Sequence, residues 1–216
     1  MKGTRTGKPA RRMRTVSITP RAKSCPCTSG TSKVDAACAE HKPDMIWVAH
    51  AETSTGACQP MDQLGEIARN HDCLLAADTV TSIGGLPVRL DEWGVDVAVS
   101  GSQKGFMLPT GLAIVGVSEK VQYQIQNVSR RPGDTYLGCG YFDFANMISA
   151  NEGGYFPYTP AATLLRGLRT SVDMLLEEGL DNVFARHTRL ANGVRAAVDA
   201  WGLKNCAQSP DIFSDT

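Results

Sequence analysis

Hydrophobic and polar positions divide this chain at about Val34. Beyond that point short apolar runs alternate with amphipathic stretches. Met45-Ile-Trp-Val-Ala49 has the length and branching of a buried strand, as do Cys73-Leu-Leu-Ala-Ala77, Val95 to Val99 and Leu112 to Val117. Between them, Val34 to His41 reads as the end of a helix. Met61 to His71 reads as a whole one, with Met61, Leu64, Ile67 and Ala68 on one face. Beyond Ser118 the pattern turns helical. Pro160 to Glu178 repeats Leu164, Leu165, Leu168, Val172, Leu175 and Leu176, with Gly179 as a stop, and Asp181 to Ala200 repeats Val183, Phe184, Leu190, Val194 and Val198. Continuous apolar strands separated by crossovers predict an α/β fold with a parallel sheet covered on both faces.

Composition adds bounds. With 216 residues and 42% hydrophobic residues the chain can bury a sizeable core, and no apolar run is long enough to span a membrane as a helix. Seven cysteines, an odd number in a chain this long, suit free thiols in a reducing compartment rather than a disulfide scaffold. The 22 basic and 22 acidic residues cancel, giving no global reason to expect nucleic acid as a partner. The balance is uneven, however. Residues 1–33 hold nine Lys/Arg and no acid, leaving 13 basic against 22 acidic residues beyond them. That stretch, broken by Pro9, Pro20 and Pro26, reads as a disordered or non-homologous leader ahead of the fold, with a transit-type presequence or a tail for nucleic acid or an acidic surface as the competing readings. Its Cys25-Pro-Cys27 has too short a spacing, and no second pair, for a metal site.

The candidate chemistry lies where strands end. In an open α/β sheet, ligands bind outside the carboxyl ends of the strands. Three successive strands run into His50-Ala-Glu-Thr-Ser-Thr-Gly56, Asp78-Thr-Val80 and Ser100-Gly-Ser-Gln-Lys-Gly105. Taken singly, Asp78 is an ordinary helix-cap or loop residue and Lys104 an ordinary surface amine. Together they put a carboxylate and an amine on neighbouring strands, with a hydroxyl cluster on a third. Pyridoxal phosphate chemistry needs such a set: an amine for the Schiff base and an acid to keep the pyridine nitrogen protonated. The same amine can then move a proton at the substrate's α-carbon.

These motifs, with Ala77-Asp-Thr-Val-Thr-Ser-Ile-Gly-Gly85, Asp91-Glu-Trp-Gly-Val-Asp96, Tyr155-Phe-Pro-Tyr-Thr-Pro160 and Glu178-Gly-Leu-Asp-Asn182, resemble the class V, fold type I aminotransferases of the serine/aspartate/alanine–glyoxylate group. The resemblance runs from about Val34 to the end of the sequence. It implies the three-layer fold type I large domain, with a mostly parallel sheet, over residues 34–200, and the start of a small C-terminal α/β domain over 201–216. It implies pyridoxal 5'-phosphate as cofactor, and transfer of an amino group from serine or aspartate, or alanine, to glyoxylate to form glycine. The substrates are then an amino acid and a 2-oxo acid, handled by a cytoplasmic homodimer, or a peroxisomal one in a eukaryote.

Residue by residue, the resemblance implies Lys104 as the Schiff-base lysine and Asp78 as partner of the pyridine nitrogen. Thr53 would reach the ring hydroxyl, Val80 one face of the ring, Gln103 the phosphate, and Thr159 the phosphate of the neighbouring subunit's cofactor. Phe156 stands where the alanine-using relatives have a tyrosine, with Tyr155 or Tyr158 as substitutes for its hydroxyl. Cysteine desulfurases share the fold but usually carry His before the lysine, where this chain has Gln103. The family's phosphate-binding loop and its substrate-clamping arginine find no match here, Thr28-Ser-Gly-Thr31 being only a weak echo of the loop. The sequence is therefore expected to be the middle of a longer enzyme, and a catalytically incompetent fragment is the alternative.

Overall fold

A computed structural model describes residues 15–18, 27–128, 140–207 and 209–216. Its five-stranded sheet runs β1 (Thr15–Ile18), β2 (Met45–Ala49), β5 (Leu74–Asp78), β6 (Val97–Gly101), β7 (Ala113–Val117), in that spatial order. The first four strands are mutually parallel. Leu74 to Ala77 of the central strand β5 are all buried, as a strand covered on both faces requires. On β2 the burial alternates, with Ile46 and Val48 fully enclosed.

Helices α1 (Cys27–His41), α2 (Met61–Asn70) and α3 (Leu90–Trp93) supply the core on one face of the sheet. Val34 and Cys38 of α1 and Met61, Leu64, Ile67 and Ala68 of α2 enclose Ile46, Val48, Leu75 and Ala77, with Leu90 and Trp93 at the margin. The apolar face predicted for α2 is the face that is buried. Beyond β7 come α4 (Glu119–Val128), α5 (Phe144–Glu152), α6 (Ala162–Glu178) and α7 (Leu180–Ala200). Gly179, at φ +84°, makes the break between the last two.

The sheet is mostly parallel, as the resemblance implies, while two other expectations need correction. The one departure from parallel pairing is β7, which runs antiparallel to β6, from Val97↔Val117 to Gly101↔Ala113. No helix lies between these strands, and without a crossover a chain can return only antiparallel. This ladder also moves the third strand to Val97–Gly101, so Ser100 and Gly101 belong to the strand and not to the turn after it. Finally, the leader expected over 1–33 gives way in two places. Thr15–Ile18 pairs in register with Met45–Val48, and α1 begins at Cys27, taking in Thr28-Ser-Gly-Thr31. An edge strand needs backbone partners on one side only, so four residues between basic flanks suffice. Cys25 and the side chain of Cys27 lie outside the described residues.

Asp96 braces the amino end of the sheet. Its buried carboxylate accepts from the Leu75 backbone N–H (3.1 Å) and the Ser118 hydroxyl (3.0 Å), with Lys120 Nζ 3.6 Å away. Three strands are tied there, at the end opposite the candidate chemistry.

Candidate active site

The register puts Ala49, Asp78 and Val99 in one row across β2, β5 and β6. The next residue along each chain segment is His50, Thr79 or Ser100, and all three are buried. Asp78, half-buried, is the last residue of β5, and its Oδ1 accepts the Val80 backbone N–H at 2.9 Å. That bond turns the carboxylate back over its own loop and orients it. Thr79 is fixed to β6 by its N–H and hydroxyl, both donated to Val99 O (2.8 and 3.0 Å).

His50 is 4% exposed, and its ring meets Trp93 edge-on at 5.2 Å between centroids. Burial pushes its imidazole down to about 4, so the ring is neutral at ordinary pH. Among the described residues, His50 Nδ1, Thr55 Oγ1 and Ser100 Oγ are buried without a hydrogen-bond partner. Ser100 lies on β6 and His50 directly follows β2, the two strands that flank Asp78, and Thr55 lies in the turn beyond His50.

Thr53 sits on that turn. Strands β3 (Ala51–Glu52) and β4 (Ala57–Cys58) form a short antiparallel hairpin, closed by Gly56 at φ +65°. Inside it the Ser54 backbone N–H (2.9 Å) and hydroxyl (2.7 Å) hold the Glu52 carboxyl below its usual range. Glu52 is thereby occupied in shaping the turn, and Thr53 is left exposed at its tip. Thr81 Oγ1, donating to Ala51 O (2.6 Å), ties the hairpin to the Asp78 loop.

Lys104 projects from the long β6–β7 connection. Ser102 closes that loop on itself: its hydroxyl donates to Pro109 O (2.7 Å) and accepts from Leu112 N (3.3 Å), while its carbonyl accepts from Leu108 N (3.0 Å). The Met107 N–H caps Lys104 O (2.8 Å). From α6, Ser171 Oγ donates to Phe106 O. The loop also lies directly on the Asp78 loop. A Cβ on Gly84 would come within 2.9 Å of the Gly105 carbonyl, and one on Gly105 would run into Ile83 O. Two glycines therefore let the two backbones touch, and this contact brings the amine's loop and the carboxylate's loop together. Lys104 is exposed, with no ion pair among the described residues, and Gln103 folds its amide over Gly101.

Of the predicted residues, Asp78, Val80, Thr53, Gln103 and Lys104 thus lie on loops that touch one another at one end of the sheet. Thr159 stands apart, exposed on the segment before α6, where the Tyr158 ring packs against Tyr141 at 5.1 Å. The sequence singled out neither His50, Thr81, Ser102 nor Ser171 as site residues. A His following a buried strand was the one available signal, and the other three are ordinary hydroxyls whose importance is purely positional.

The donor set suits a carbonyl-bearing cofactor with a basic ring nitrogen: an uncommitted amine, an oriented carboxylate and an exposed hydroxyl on adjoining loops. The comparisons agree with this. The family model described as "Aminotransferase class-V" matches residues 15–211. The chain is 53% identical over 178 residues to the serine–glyoxylate aminotransferase of Hyphomicrobium methylovorum, and 47% identical over 178 residues to the L-aspartate–glyoxylate aminotransferase of Paracoccus denitrificans. Each match takes in 82% of this chain and 43% of the relative, so the chain spans under half the length of the curated relatives it matches. Among solved structures, alanine–glyoxylate aminotransferase from Nostoc sp. superposes with a TM-score of 0.75 at 30% identity, over 86% of this chain and 48% of that one. With the strand-end carboxylate, the amine loop and a match over most of its length, the chain belongs to the class-V aminotransferase family.

Proposed function

We propose that this chain forms the central part of a pyridoxal-phosphate-dependent aminotransferase that passes an amino group from an amino acid to glyoxylate, forming glycine. The observation that carries this reading is the contact at Gly84 and Gly105, which joins the loop of Asp78 to the loop of Lys104. Serine or aspartate is the donor favoured over alanine. The relatives named for those donors are 53% and 47% identical, against 32% for the alanine–glyoxylate aminotransferase of Mus musculus.

Pyridoxal phosphate, when bound, supplies an electron sink for the bond broken at the substrate's α-carbon. Asp78, its Oδ1 oriented by the Val80 N–H, would hold the proton on the ring nitrogen. The Lys104 amine would hold the cofactor's carbonyl and would move the α-carbon proton, as base and then as acid. Thr53 would donate to the ring hydroxyl from the hairpin turn, Val80 would pack on the ring and Gln103 would bind the phosphate. His50, held neutral by burial, brings no competing charge beside Asp78. Thr159 serves the partner's cofactor in a homodimer. None of the described helices is long and apolar enough to cross a membrane, and a cytoplasmic location accords with the free thiols.

Borohydride reduction of the chain saturated with pyridoxal phosphate, followed by peptide mapping, tests the site. The pyridoxyl group is expected on Lys104; a label on Lys120 or Lys204 instead would overturn the assignment. Glycine formation from glyoxylate with serine, aspartate and alanine in turn ranks the donors.

A further inference from the structure

The hairpin that carries Thr53 is too small to hold itself. Two strands of two residues each make a marginal structure without neighbours. On its inner side, Thr81 Oγ1 and the Gln59 N–H to His50 O bond (2.8 Å) anchor it. Its outer side is covered by a segment distant in sequence. Phe213 forms an antiparallel bridge with Ala57, the Ser214 N–H donates to Gly56 O (2.8 Å), and Ala57, Ala207, Ile212 and Phe213 share a small apolar cluster. Phe213–Ser214 acts as a third strand beside the hairpin.

One side chain on α7 gathers that segment. Arg195 pairs through Nη1 with Asp215 Oδ1 (2.8 Å), donates through Nη2 to Ser214 O (2.5 Å), and sets its guanidinium 5.1 Å from the Phe213 ring centroid. Three consecutive residues are thus held by one planar fork, a task for which a lysine's point charge is poorly shaped. Thr188 Oγ1 donates to the second carboxylate oxygen of Asp215 (2.7 Å). The pair is largely enclosed, at 18% and 20% side-chain exposure, so water screens it less than an open surface pair. The segment continues to Thr216, whose methyl group and the His187 ring occupy the space a side chain at Gly85 would need. Residues 213–216 therefore bear at one end on the Thr53 hairpin and at the other on the loop that begins at Asp78.

We propose that Arg195 is a positioning residue of the site: by clamping Phe213–Asp215 it sets the placement of the β3–β4 hairpin, and hence of the Thr53 hydroxyl. What Thr53 contacts rests on the function proposed above; the clamp itself does not.

Hydrogen–deuterium exchange of the full chain, wild type against Arg195→Met, Arg195→Lys and Asp215→Asn, tests the clamp directly. Faster exchange is expected in peptides covering 51–58 and 209–216, with β5 unchanged. Unaltered exchange at 51–58 in both Arg195→Met and Asp215→Asn would overturn the proposal. Pyridoxal phosphate affinity, read by titration of cofactor absorbance, should weaken about tenfold in Arg195→Met, with part regained in Arg195→Lys. In a Thr53→Ala background the further Arg195→Met change should cost little, because both act through one hydroxyl. Full additivity, or loosened exchange with unchanged affinity, would refute a positioning role. A wild-type chain that binds no pyridoxal phosphate would sink the proposed function instead, and the exchange pattern alone would then decide the clamp.

Discussion

His50 donates its backbone N–H to the carbonyl oxygen of Asp78 across 2.9 Å. A buried, neutral histidine and the strand-end carboxylate therefore belong to one backbone unit, in which β2 hands its ladder on to β5 just where both strands leave the sheet. Any shift of His50 moves Asp78 with it.

This relationship gives a pH signature. The imidazole's usual value of 6.5 falls to about 4 through burial. The unfolded chain thus binds a proton at a pH where the folded chain does not. Stability from this group is complete above about pH 6.5, is lost as pH falls through 4, and amounts to roughly 3 kcal/mol in all. His50→Phe, which keeps an aromatic ring against Trp93, should remove that part of the slope. Urea unfolding of both proteins at intervals from pH 7.5 to pH 4 is the measurement, and equal slopes would show that His50 titrates normally.

Asp78→Asn should separate chemistry from architecture. An Asn carbonyl can still accept the Val80 N–H, so the unfolding free energy should change by less than about 1 kcal/mol. Exchange of the donor's α-proton with solvent deuterium, followed by NMR in the presence of pyridoxal phosphate, should slow by about 100-fold or more. Wild-type exchange rates in the variant would remove Asp78 from the chemistry.

Gly105→Ala should break the contact between the two loops. Its new methyl group would strike Ile83 O, and the obstacle is backbone that cannot rotate aside. A loss of roughly 2–3 kcal/mol is expected from urea melts, the scale of overpacking at a closed contact. Lys104 should then become harder to label with pyridoxal phosphate. Gly193→Ala, on α7 with nothing within 4 Å of the added carbon, is the control and should be neutral or slightly stabilising.

The thiols should divide sharply in reactivity. Burial pushes Cys38 and Cys58 up to about 11, with Cys73 and Asp215 respectively adding to the effect, and it also raises Cys73. At pH 8 about one in a thousand of the Cys38 and Cys58 thiols is ionised. Cys206 is exposed. Among these four, iodoacetamide at pH 8 should modify Cys206 first and the others only on unfolding, as read by peptide mass mapping. Prompt labelling of Cys38 would mean that α1 lifts from the sheet under native conditions.

Much of this architecture is legible in the residues alone. The apolar runs at Met45–Ala49 and Leu74–Ala77 place the two inner strands, and the spacing of Met61, Leu64, Ile67 and Ala68 places the buried face of α2. Gly179 ends α6 where expected. Such features are local: side-chain period and glycine conformation act within a few residues. The juxtaposition of Asp78 and Lys104 could also be inferred, because parallel strands joined by a crossover bring their carboxyl ends to one edge.

Other features arise only when distant segments meet. The antiparallel return of β7 depends on how Ser102 closes its loop, and the edge strand Thr15–Ile18 depends on having β2 to pair with. Neither leaves a period in the sequence. His50 is neutral because Trp93 and the sheet enclose it, and Arg195 matters because a fold-back brings Phe213, Ser214 and Asp215 within its reach. Composition and periodicity record what each residue prefers, so they determined the inner strands, the amphipathic helices and which polar groups follow the strands. Burial and long-range hydrogen bonding depend on which surfaces are pressed together, so the charge state of the site and the support of its loops were decided by the tertiary structure.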